Sequence, residues 1–205
     1  MNRPLAACLA GAARLLSGAT IRWVGCEPDI RQRVYFGNHT SHLDSLVLWA
    51  ALPPDVRAVT RPVAARDYWG SSRPHRRLVA WLFQAVLIER HSADAIERIR
   101  QLDLLLEAMG ERYSLIVFPE GTRGTGAEIA PFKSGLYHLS LKKPDLELVP
   151  VYLENLNRIL PKGELLPVPM LSAVTFGPPL RIRHAEPKGV FLERAREAVR
   201  SLRAA

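Results

Sequence analysis

Short apolar runs with the composition of buried β-strands alternate along this chain with longer segments of helical periodicity. Residues 34–36 and 114–118 are the clearest strand candidates, and each is followed by a glycine or a proline. Residues 93–109 are the clearest helix candidate, because apolar side chains recur there every three or four residues and Gly110 follows. Strands joined by helical crossovers predict an α/β fold, a single domain whose largely parallel central sheet is flanked by helices.

The remaining elements follow from the same patterns, and 205 residues are enough for one domain with a substantial core. We place this domain at residues 25–205, since no internal repeat divides it and the proline-rich loop at 161–169 is too short to do so. Additional strands are predicted at residues 56–60, 85–88, 146–149 and 173–176. Additional helices are predicted at residues 41–51, 76–83, 134–141 and 190–202.

Residues 1–24 differ from the rest of the chain, since they carry an apolar stretch between arginines and no acidic side chain. The stretch is far shorter than the roughly 20 apolar residues that span a bilayer. We expect an amphipathic helix lying on a membrane surface, with its leucines against acyl chains: Leu5, Leu9, Leu15 and Leu16. Its arginines, Arg3 and Arg14, would then lie near anionic lipid phosphates. A helix packed on the domain is an alternative expectation, and a signal peptide is a third.

The formal net charge of +8 allows three kinds of partner: nucleic acid, an anionic membrane surface or a small phosphorylated substrate. Nucleic acid is disfavoured, because the basic residues are dispersed and the sequence has no zinc-binding spacing or ribonucleoprotein motif. The two cysteines, Cys8 and Cys26, are too few for a disulfide framework and lack the spacing of metal ligands. The composition therefore predicts a membrane or phosphate partner and no metal site.

A histidine and an aspartate follow the first clear strand. Asp44 comes five residues after His39, so the two side chains cannot stack on one helix, where neighbours are three or four residues apart. We expect His39 in the turn and Asp44 on the first turns of the helix, reaching back to the imidazole. Such a carboxylate fixes the Nδ1–H tautomer and leaves Nε2 as a general base. The sequence has no Gly-x-Ser-x-Gly motif, which favours a substrate hydroxyl as the nucleophile.

The neighbouring polar residues have simpler interpretations. His42 competes with His39 for the role of base, but its position two residues before Asp44 predicts that it lies on the wrong side of the helix. Asn38 and Ser41 can act as helix caps. The His39–Asp44 pair itself has an alternative interpretation as a surface hydrogen bond or a cap.

The second clear strand is followed by a turn at residues 118–123. Pro119 stops sheet pairing, and Gly121 lets the backbone come close to a ligand. Arg123 can make bidentate hydrogen bonds to a phosphate, and Thr122 adds a hydroxyl. This turn is therefore a candidate phosphate site, although an ordinary loop with a surface arginine is the alternative.

Three further residues are candidates for the same site. Glu120 is expected to orient a basic group or to accept hydrogen bonds from the backbone. Lys133 stands at the start of a predicted helix, where backbone N–H groups favour a phosphate. Arg90 follows the predicted strand at 85–88. Because sites in parallel sheets lie beyond the carboxyl ends of the strands, we expect these side chains near His39.

The pattern Asn-His-x-Ser-x-x-Asp at residues 38–44, followed by Phe-Pro-Glu-Gly-Thr-Arg at residues 118–123, resembles the glycerolipid acyltransferases, which include the 1-acylglycerol-3-phosphate acyltransferases. The resemblance implies that His39 is the base and Asp44 its partner. It implies that the acceptor substrate is bound by Glu120, Gly121, Arg123, Lys133 and Arg90, to which the turn itself adds the hydroxyl of Thr122. It further implies an apolar region near the acyl donor at Val149, Pro150 and Val151.

The motifs and the resemblance together predict an enzyme that moves a fatty acyl group from acyl-CoA or acyl carrier protein to a hydroxyl of a lysophospholipid. The leading acceptor is 1-acylglycerol-3-phosphate, and no metal or organic cofactor is expected. Alternatives are the same chemistry on another acceptor, a hydrolase that uses water, and a non-catalytic protein that binds lipid or membrane. The composition favours a peripheral protein on the cytoplasmic face of a bacterial membrane.

Overall fold

Seven strands form one sheet in the computed structural model, which describes residues 3–65, 84–89, 95–156 and 171–204. The strands are β1 (Ala19–Trp23), β2 (Arg33–Gly37), β3 (Thr60–Ala65), β4 (Val86–Ile88), β5 (Ser114–Val117), β6 (Glu147–Glu154) and β7 (Ser172–Phe176). Their order across the sheet is β1-β7-β6-β2-β5-β3-β4. Because β2 and β5 are neighbours, the two motifs that follow them begin side by side.

Helices cover both faces of this sheet. Those in the described ranges are α1 (Arg3–Ser17), α2 (Asp44–Ala51), α3 (Pro54–Ala58), α4 (Ala95–Met109), α5 (Gly135–Lys142) and α6 (Lys188–Ser201), with a 3₁₀ turn at Leu202–Ala204. One core cluster joins α1 and α2 to one face and includes Tyr35, Trp49, Ile116, Val151 and Phe176. The other joins α4, α5 and α6 to the opposite face and includes Val34, Phe36, Met109, Phe132 and Phe191. Alternate residues of β2 thus enter opposite cores, which explains why its three central residues, Val34, Tyr35 and Phe36, are all apolar.

The strand directions confirm the predicted fold class. Strands β6, β2, β5, β3 and β4 are mutually parallel, whereas β7 is antiparallel to β6 and β1 is parallel to β7. The carboxyl ends of the five parallel strands therefore share one edge of the sheet with the first residues of β1 and β7. We call this the carboxyl edge, and the segments that follow β2 and β5 begin there.

One predicted strand is wrong. Residues 56–60 were expected to be extended, but Pro54–Ala58 forms helix α3 and the strand begins only at Thr60. Pro54 occupies the first helical position, where its fixed φ favours a helix and its missing N–H is not needed. The strand then continues through Pro62. Its pairing with β5 ends at Pro62 and its pairing with β4 begins at the next residue. The missing N–H of the proline therefore lies where the pairing partner changes.

The N-terminal segment is also divided differently from the prediction. Residues 19–23, which we grouped with the membrane-associating segment, form β1 and pair with β7. Their side chains alternate between exposed and partly buried, as in a strand. This pattern covers only five residues and directly follows the apolar stretch, so it was not recognised as a separate element. The structural boundary thus falls at the end of α1 and not after residue 24.

Helix α1 packs against the domain on one face and exposes leucines on another. Ala10 and Ala13 are buried against α2, at 2% and 4% exposure. Arg14, expected near lipid phosphates, donates to the carbonyl oxygen of Ala50 at 2.6 Å. Leu15 and Leu16 are 85% and 56% exposed. The packed helix and the exposed apolar face, considered above as alternatives, therefore occur together. Among the described residues, no helix is both long and apolar enough to cross a bilayer.

Other boundaries differ from the prediction by a few residues, and some predicted elements lie outside the described residues. The helix expected from residue 41 begins at Asp44, and the strand expected at 146–149 extends to Glu154. In α4 the expected apolar face is only partly buried, since Ile96 and Ile99 are 66% and 61% exposed. The predicted helix at 76–83, the start of the helix at 93–94 and the loop at 161–169 lie outside the described residues.

Gly37, the last residue of β2, is expected to be required for the pairing of β2 with β6. A Cβ at this position would lie 2.7 Å from the carbonyl oxygen of Val151, a backbone atom that cannot move without separating the strands. We therefore expect Gly37→Ala to lower the free energy of unfolding by about 1–3 kcal/mol, as overpacking does. Urea unfolding measures this change.

Gly189→Ala is the matched control, because no atom lies within 4 Å of a Cβ there. In helix α6 the added methyl group should leave stability unchanged or raise it by up to about 1 kcal/mol. Equal unfolding midpoints for the two variants would contradict the steric argument.

Candidate active site

The two motifs meet where β2 and β5 end. Tyr35 pairs with Ile116 in the middle of these strands, so His39 and Phe118 emerge next to each other. The His39 imidazole stacks on the Phe118 ring, with centroids 4.5 Å apart and planes 19° apart. The stacking fixes the tilt of the imidazole, and the side chain of His39 remains 20% exposed. The expected proximity of the two motifs is therefore present in the structure.

Asp44 is the first residue of α2, and its carboxylate reaches back to the histidine. Its Oδ2 lies 2.8 Å from Nδ1 of His39 and also accepts hydrogen bonds from the backbone N–H groups of Thr40 and Ser41, at 2.6 and 2.9 Å. The Asp44 side chain is fully buried. Because three donors converge on one oxygen, the carboxylate is fixed in position. The proton of a neutral His39 then lies on Nδ1, which leaves Nε2 as the basic nitrogen.

The backbone of His39 is held from both sides. Oε1 of Glu120 accepts a hydrogen bond from the His39 N–H at 2.7 Å, and the His39 carbonyl accepts one from the N–H of Gly124 at 2.8 Å. The other oxygen of Glu120 accepts from the N–H of Ala130 at 2.8 Å. Burial raises the pKa of Glu120, and its two backbone hydrogen bonds act in the opposite direction. Of the two roles expected for Glu120, the contacts match the bond to the backbone.

Asn38 extends the sheet beyond the end of β2. Its side-chain amide donates to the carbonyl oxygen of Leu153 at 2.9 Å and accepts from the Leu153 N–H at 2.8 Å. The side chain thus imitates the backbone of one more paired residue. Asn38 is therefore a strand extension and not the helix cap that the sequence suggested, and it anchors the loop that carries His39.

Gly121 and Lys133 are in direct contact across the turn after β5. Gly121 has a φ of +70°, and a Cβ there would lie 2.6 Å from Nζ of Lys133. The backbone N–H of Lys133 donates to the Pro119 carbonyl at 2.8 Å, which places the lysine beside this turn. The missing side chain of Gly121 is what lets the Lys133 side chain lie over the loop.

His42 contacts the Arg123 guanidinium, an interaction that the sequence analysis missed. The helix begins only at Asp44, so His42 lies in the preceding turn, and its Nε2 faces Nη1 of Arg123. Burial lowers the pKa of His42, and the charge of Arg123 lowers it further, so both effects favour the neutral imidazole. The spacing gave no signal of this contact, because it joins two distant segments.

The other predicted site residues are less closely connected. Thr122 is exposed on the turn. Val149, Pro150 and Val151 lie in the middle of β6 with their side chains buried, and the Pro150 carbonyl accepts from the N–H of Gly177. Arg90 lies outside the described residues.

Comparison with known proteins identifies the family. The profile of the acyltransferase family matches residues 27–154. A 1-acyl-sn-glycerol-3-phosphate acyltransferase of Limnanthes douglasii is 28% identical over 174 residues, which are 84% of this chain and 58% of that protein. The alpha form of that enzyme from Homo sapiens is 32% identical over 130 residues, 62% of this chain and 42% of that protein. The chain thus spans about half the length of these relatives.

The fold also has a solved counterpart. The crystal structure of the 1-acyl-sn-glycerophosphate (LPA) acyltransferase PlsC from Thermotoga maritima superposes with a TM-score of 0.74. The match covers 98% of this chain and 78% of that chain, at 18% sequence identity. At this identity the likeness concerns the fold alone. Together with the family profile it confirms the resemblance seen in the two motifs, and the chain belongs to the acyltransferase family that includes the glycerolipid acyltransferases.

Proposed function

We propose that this protein transfers a fatty acyl group from a thioester, acyl-CoA or acyl carrier protein, to the hydroxyl of a lysophospholipid. One observation carries the proposal. Nδ1 of His39 lies 2.8 Å from Oδ2 of Asp44, so the carboxylate holds the imidazole and its Nε2 takes no part in that bond. A base of this kind without a serine-hydrolase motif suits direct attack by a substrate hydroxyl.

The reaction follows in two proton transfers. Nε2 of His39 takes the proton of the acceptor hydroxyl while its oxygen bonds to the thioester carbonyl carbon. The tetrahedral intermediate then breaks its C–S bond, and the imidazolium gives its proton to the departing sulfur. Asp44 stabilises the imidazolium between these steps, because its fixed carboxylate faces Nδ1. The chemistry needs no metal or organic cofactor, and we retain that expectation as part of the proposal.

The leading acceptor is 1-acylglycerol-3-phosphate. Arg123 and Lys133 bring two cationic groups to the turn beside His39, and a phosphomonoester is the substrate group that best matches them. Relatives of this chain are named 1-acyl-sn-glycerol-3-phosphate acyltransferases, which supports the same acceptor. Thr122 remains a candidate contact of that phosphate, and so does Arg90.

We also propose that the protein acts on a membrane surface, on the cytoplasmic face of a bacterial cell. Leu5, Leu15 and Leu16 of α1 are 40%, 85% and 56% exposed. Gly18 joins α1 to β1, whose first residue lies at the carboxyl edge, so Leu15 and Leu16 lie near the edge that carries His39. Exposed leucines and a net charge of +8 suit an interface of acyl chains and anionic headgroups.

Thiol release from palmitoyl-CoA, measured with and without 1-acylglycerol-3-phosphate, tests the proposed reaction. Release that requires the acceptor and yields phosphatidic acid supports it. Release that is independent of the acceptor would replace the transferase with a hydrolase. If neither palmitoyl-CoA nor palmitoyl carrier protein is consumed with any lysophospholipid, the proposal fails in favour of a binding protein.

Gly121→Ala is expected to weaken binding of the phosphate-bearing acceptor. The new methyl group would displace the end of Lys133 and would add about 1 kcal/mol of strain at the positive φ. We expect the acceptor KM to rise about tenfold, because one charge-assisted hydrogen bond to the phosphate is lost. Steady-state kinetics with varied acceptor measure the change.

Two further variants make this test specific. Gly124→Ala is the matched control, because a Cβ there would make only ordinary contacts, the nearest at 3.6 Å. Lys133→Ala should raise the KM by a similar factor, and the double variant Gly121→Ala with Lys133→Ala should add little. Fully additive effects would show that Gly121 acts independently of Lys133.

A further inference from the structure

A cavity of about 480 Å³ lies between the loop that carries His39 and helix α6. Asn38, Thr40 and Glu120 line it on the loop side, so it begins at the two neighbours of His39. Its volume is typical of sites for small ligands. The facing wall comes from α6 and the turn after it, and carries Arg196, Arg200 and Arg203. A partly open cavity lined by three guanidinium groups points to an anionic ligand.

The three arginines form one row. Their separations of four and then three residues place them on the same helix face. Arg196 donates from Nε to the carbonyl oxygen of Ile129 at 3.0 Å, and Nη1 of Arg203 lies 3.5 Å from the carbonyl of Ala127. Both carbonyls belong to the loop at 126–129 that also lines the cavity. The side chains of Arg196 and Arg203 therefore reach the loop on the opposite side of the cavity, and Arg200 lies between them in the row.

The acidic neighbours do not neutralise this row. Glu193 and Glu197 pair with Arg196 and Arg200 at 3.1 and 2.6 Å, but both carboxylates are more than half exposed, and such pairs are weak. Glu120 is turned towards two backbone amides, and Glu128, the other acidic residue that lines the cavity, is exposed. Each guanidinium carries five N–H donors, more than these contacts use.

We propose that this cavity binds the phosphate-bearing adenosine end of a coenzyme A thioester. The inference rests on the proposed acyl transfer, in which the thioester end of the same molecule must reach His39. The cavity starts at Asn38 and Thr40 and leads away towards the arginine row, which suits a long donor with anionic groups at its far end. Neither Arg123 nor Lys133 lines the cavity, so the acceptor phosphate has a separate site. A cleft between two walls suits a compact polyanion better than the surface of an acidic carrier protein.

Equilibrium binding of coenzyme A to the purified full chain tests the proposal without any need for turnover. The test variant is Arg200→Ala with Arg203→Ala. The matched control is Arg181→Ala with Arg183→Ala, which removes the same charge outside the cavity, where Arg181 pairs with Glu147 at an exposed site. We expect the Kd of coenzyme A to rise about tenfold or more in the test variant and less than twofold in the control. Thermal unfolding checks that both variants are folded.

A kinetic comparison completes the test. The KM for palmitoyl-CoA should rise by the same factor in the test variant, whereas the KM for palmitoyl-pantetheine, which has no phosphate, should match that of the wild type. Unchanged coenzyme A affinity in the test variant would overturn the proposal, as would an equal loss in the control. Failure of the wild type to bind coenzyme A would also overturn it, and activity only with acyl carrier protein would then assign the row to protein docking. Specific coenzyme A binding without acyl transfer would instead retain the site and refute the proposed function.

Discussion

Replacing His39 by alanine is expected to reduce acyl transfer by about 10²–10⁴-fold, the contribution typical of a positioned general base. The imidazole is the group that Asp44 orients, and its removal leaves the acceptor hydroxyl without a base. The fold should persist, because the side chain is 20% exposed and the backbone of His39 is held by Glu120 and Gly124. The measurement is the turnover number for palmitoyl-CoA and 1-acylglycerol-3-phosphate, together with the unfolding midpoint.

His184→Ala is a suitable control, because His184 is exposed and lies in a turn outside the site. It should retain the wild-type rate, which separates loss of the base from loss of any histidine. Transfer at the wild-type rate by His39→Ala would refute the mechanism. Loss of activity together with a large fall in the unfolding midpoint would show that the imidazole supports the fold through its stacking on Phe118.

Replacing Arg123 by alanine is expected to raise the acceptor KM by about 10–100-fold with a smaller effect on the turnover number. Hydrogen bonds to charged groups contribute roughly 1.5–3 kcal/mol, and 1.4 kcal/mol corresponds to a factor of ten. Arg123→Lys keeps the charge but loses the planar fork, so its KM should lie between those of the wild type and the alanine variant. Steady-state kinetics at saturating thioester measure the change.

The comparison with an uncharged acceptor shows whether Arg123 acts on the phosphate. The KM for 1-acylglycerol, which has no phosphate, should be the same for Arg123→Ala and the wild type. His42→Gln removes the imidazole beside Arg123 without removing the arginine, and should change the KM for the phosphate-bearing acceptor less. Equal increases for both acceptors would mean that Arg123 supports the shape of the site and does not bind the phosphate.

The contrast between His39 and His42 shows what the spacing of residues along the chain can predict and what it cannot. The five-residue interval correctly predicted that His39 would lie in the turn and that Asp44, on the first turns of the helix, would reach back to it. His42 was expected on the same helix, but it lies in the turn before the first helical residue, Asp44. Its contact with Arg123 spans 81 positions of the chain, and no local pattern contains that information.

Glu120 shows a second limit of prediction from local sequence. Its position after β5 made it a candidate for the site, but nothing local distinguished a substrate contact from a structural one. The structure places its carboxylate on the backbone N–H groups of His39 and Ala130, in a buried position. Only the adjacency of β2 and β5 brings these groups together.

The sequence by itself determined where the chain turns and which side chains are apolar. From these it predicted the α/β class, the positions of most strands and helices, and a site at the carboxyl edge built from residues 38–44 and 118–123. The tertiary structure decided that β7 and β1 run antiparallel to the other five strands and that β3 includes Pro62. It also decided the contact of Gly37 with Val151. The contacts between side chains at the site were likewise decided by the tertiary structure. The physical reason is that periodicity records the environment of each residue along one element, whereas strand order and contacts between elements depend on packing of the whole chain.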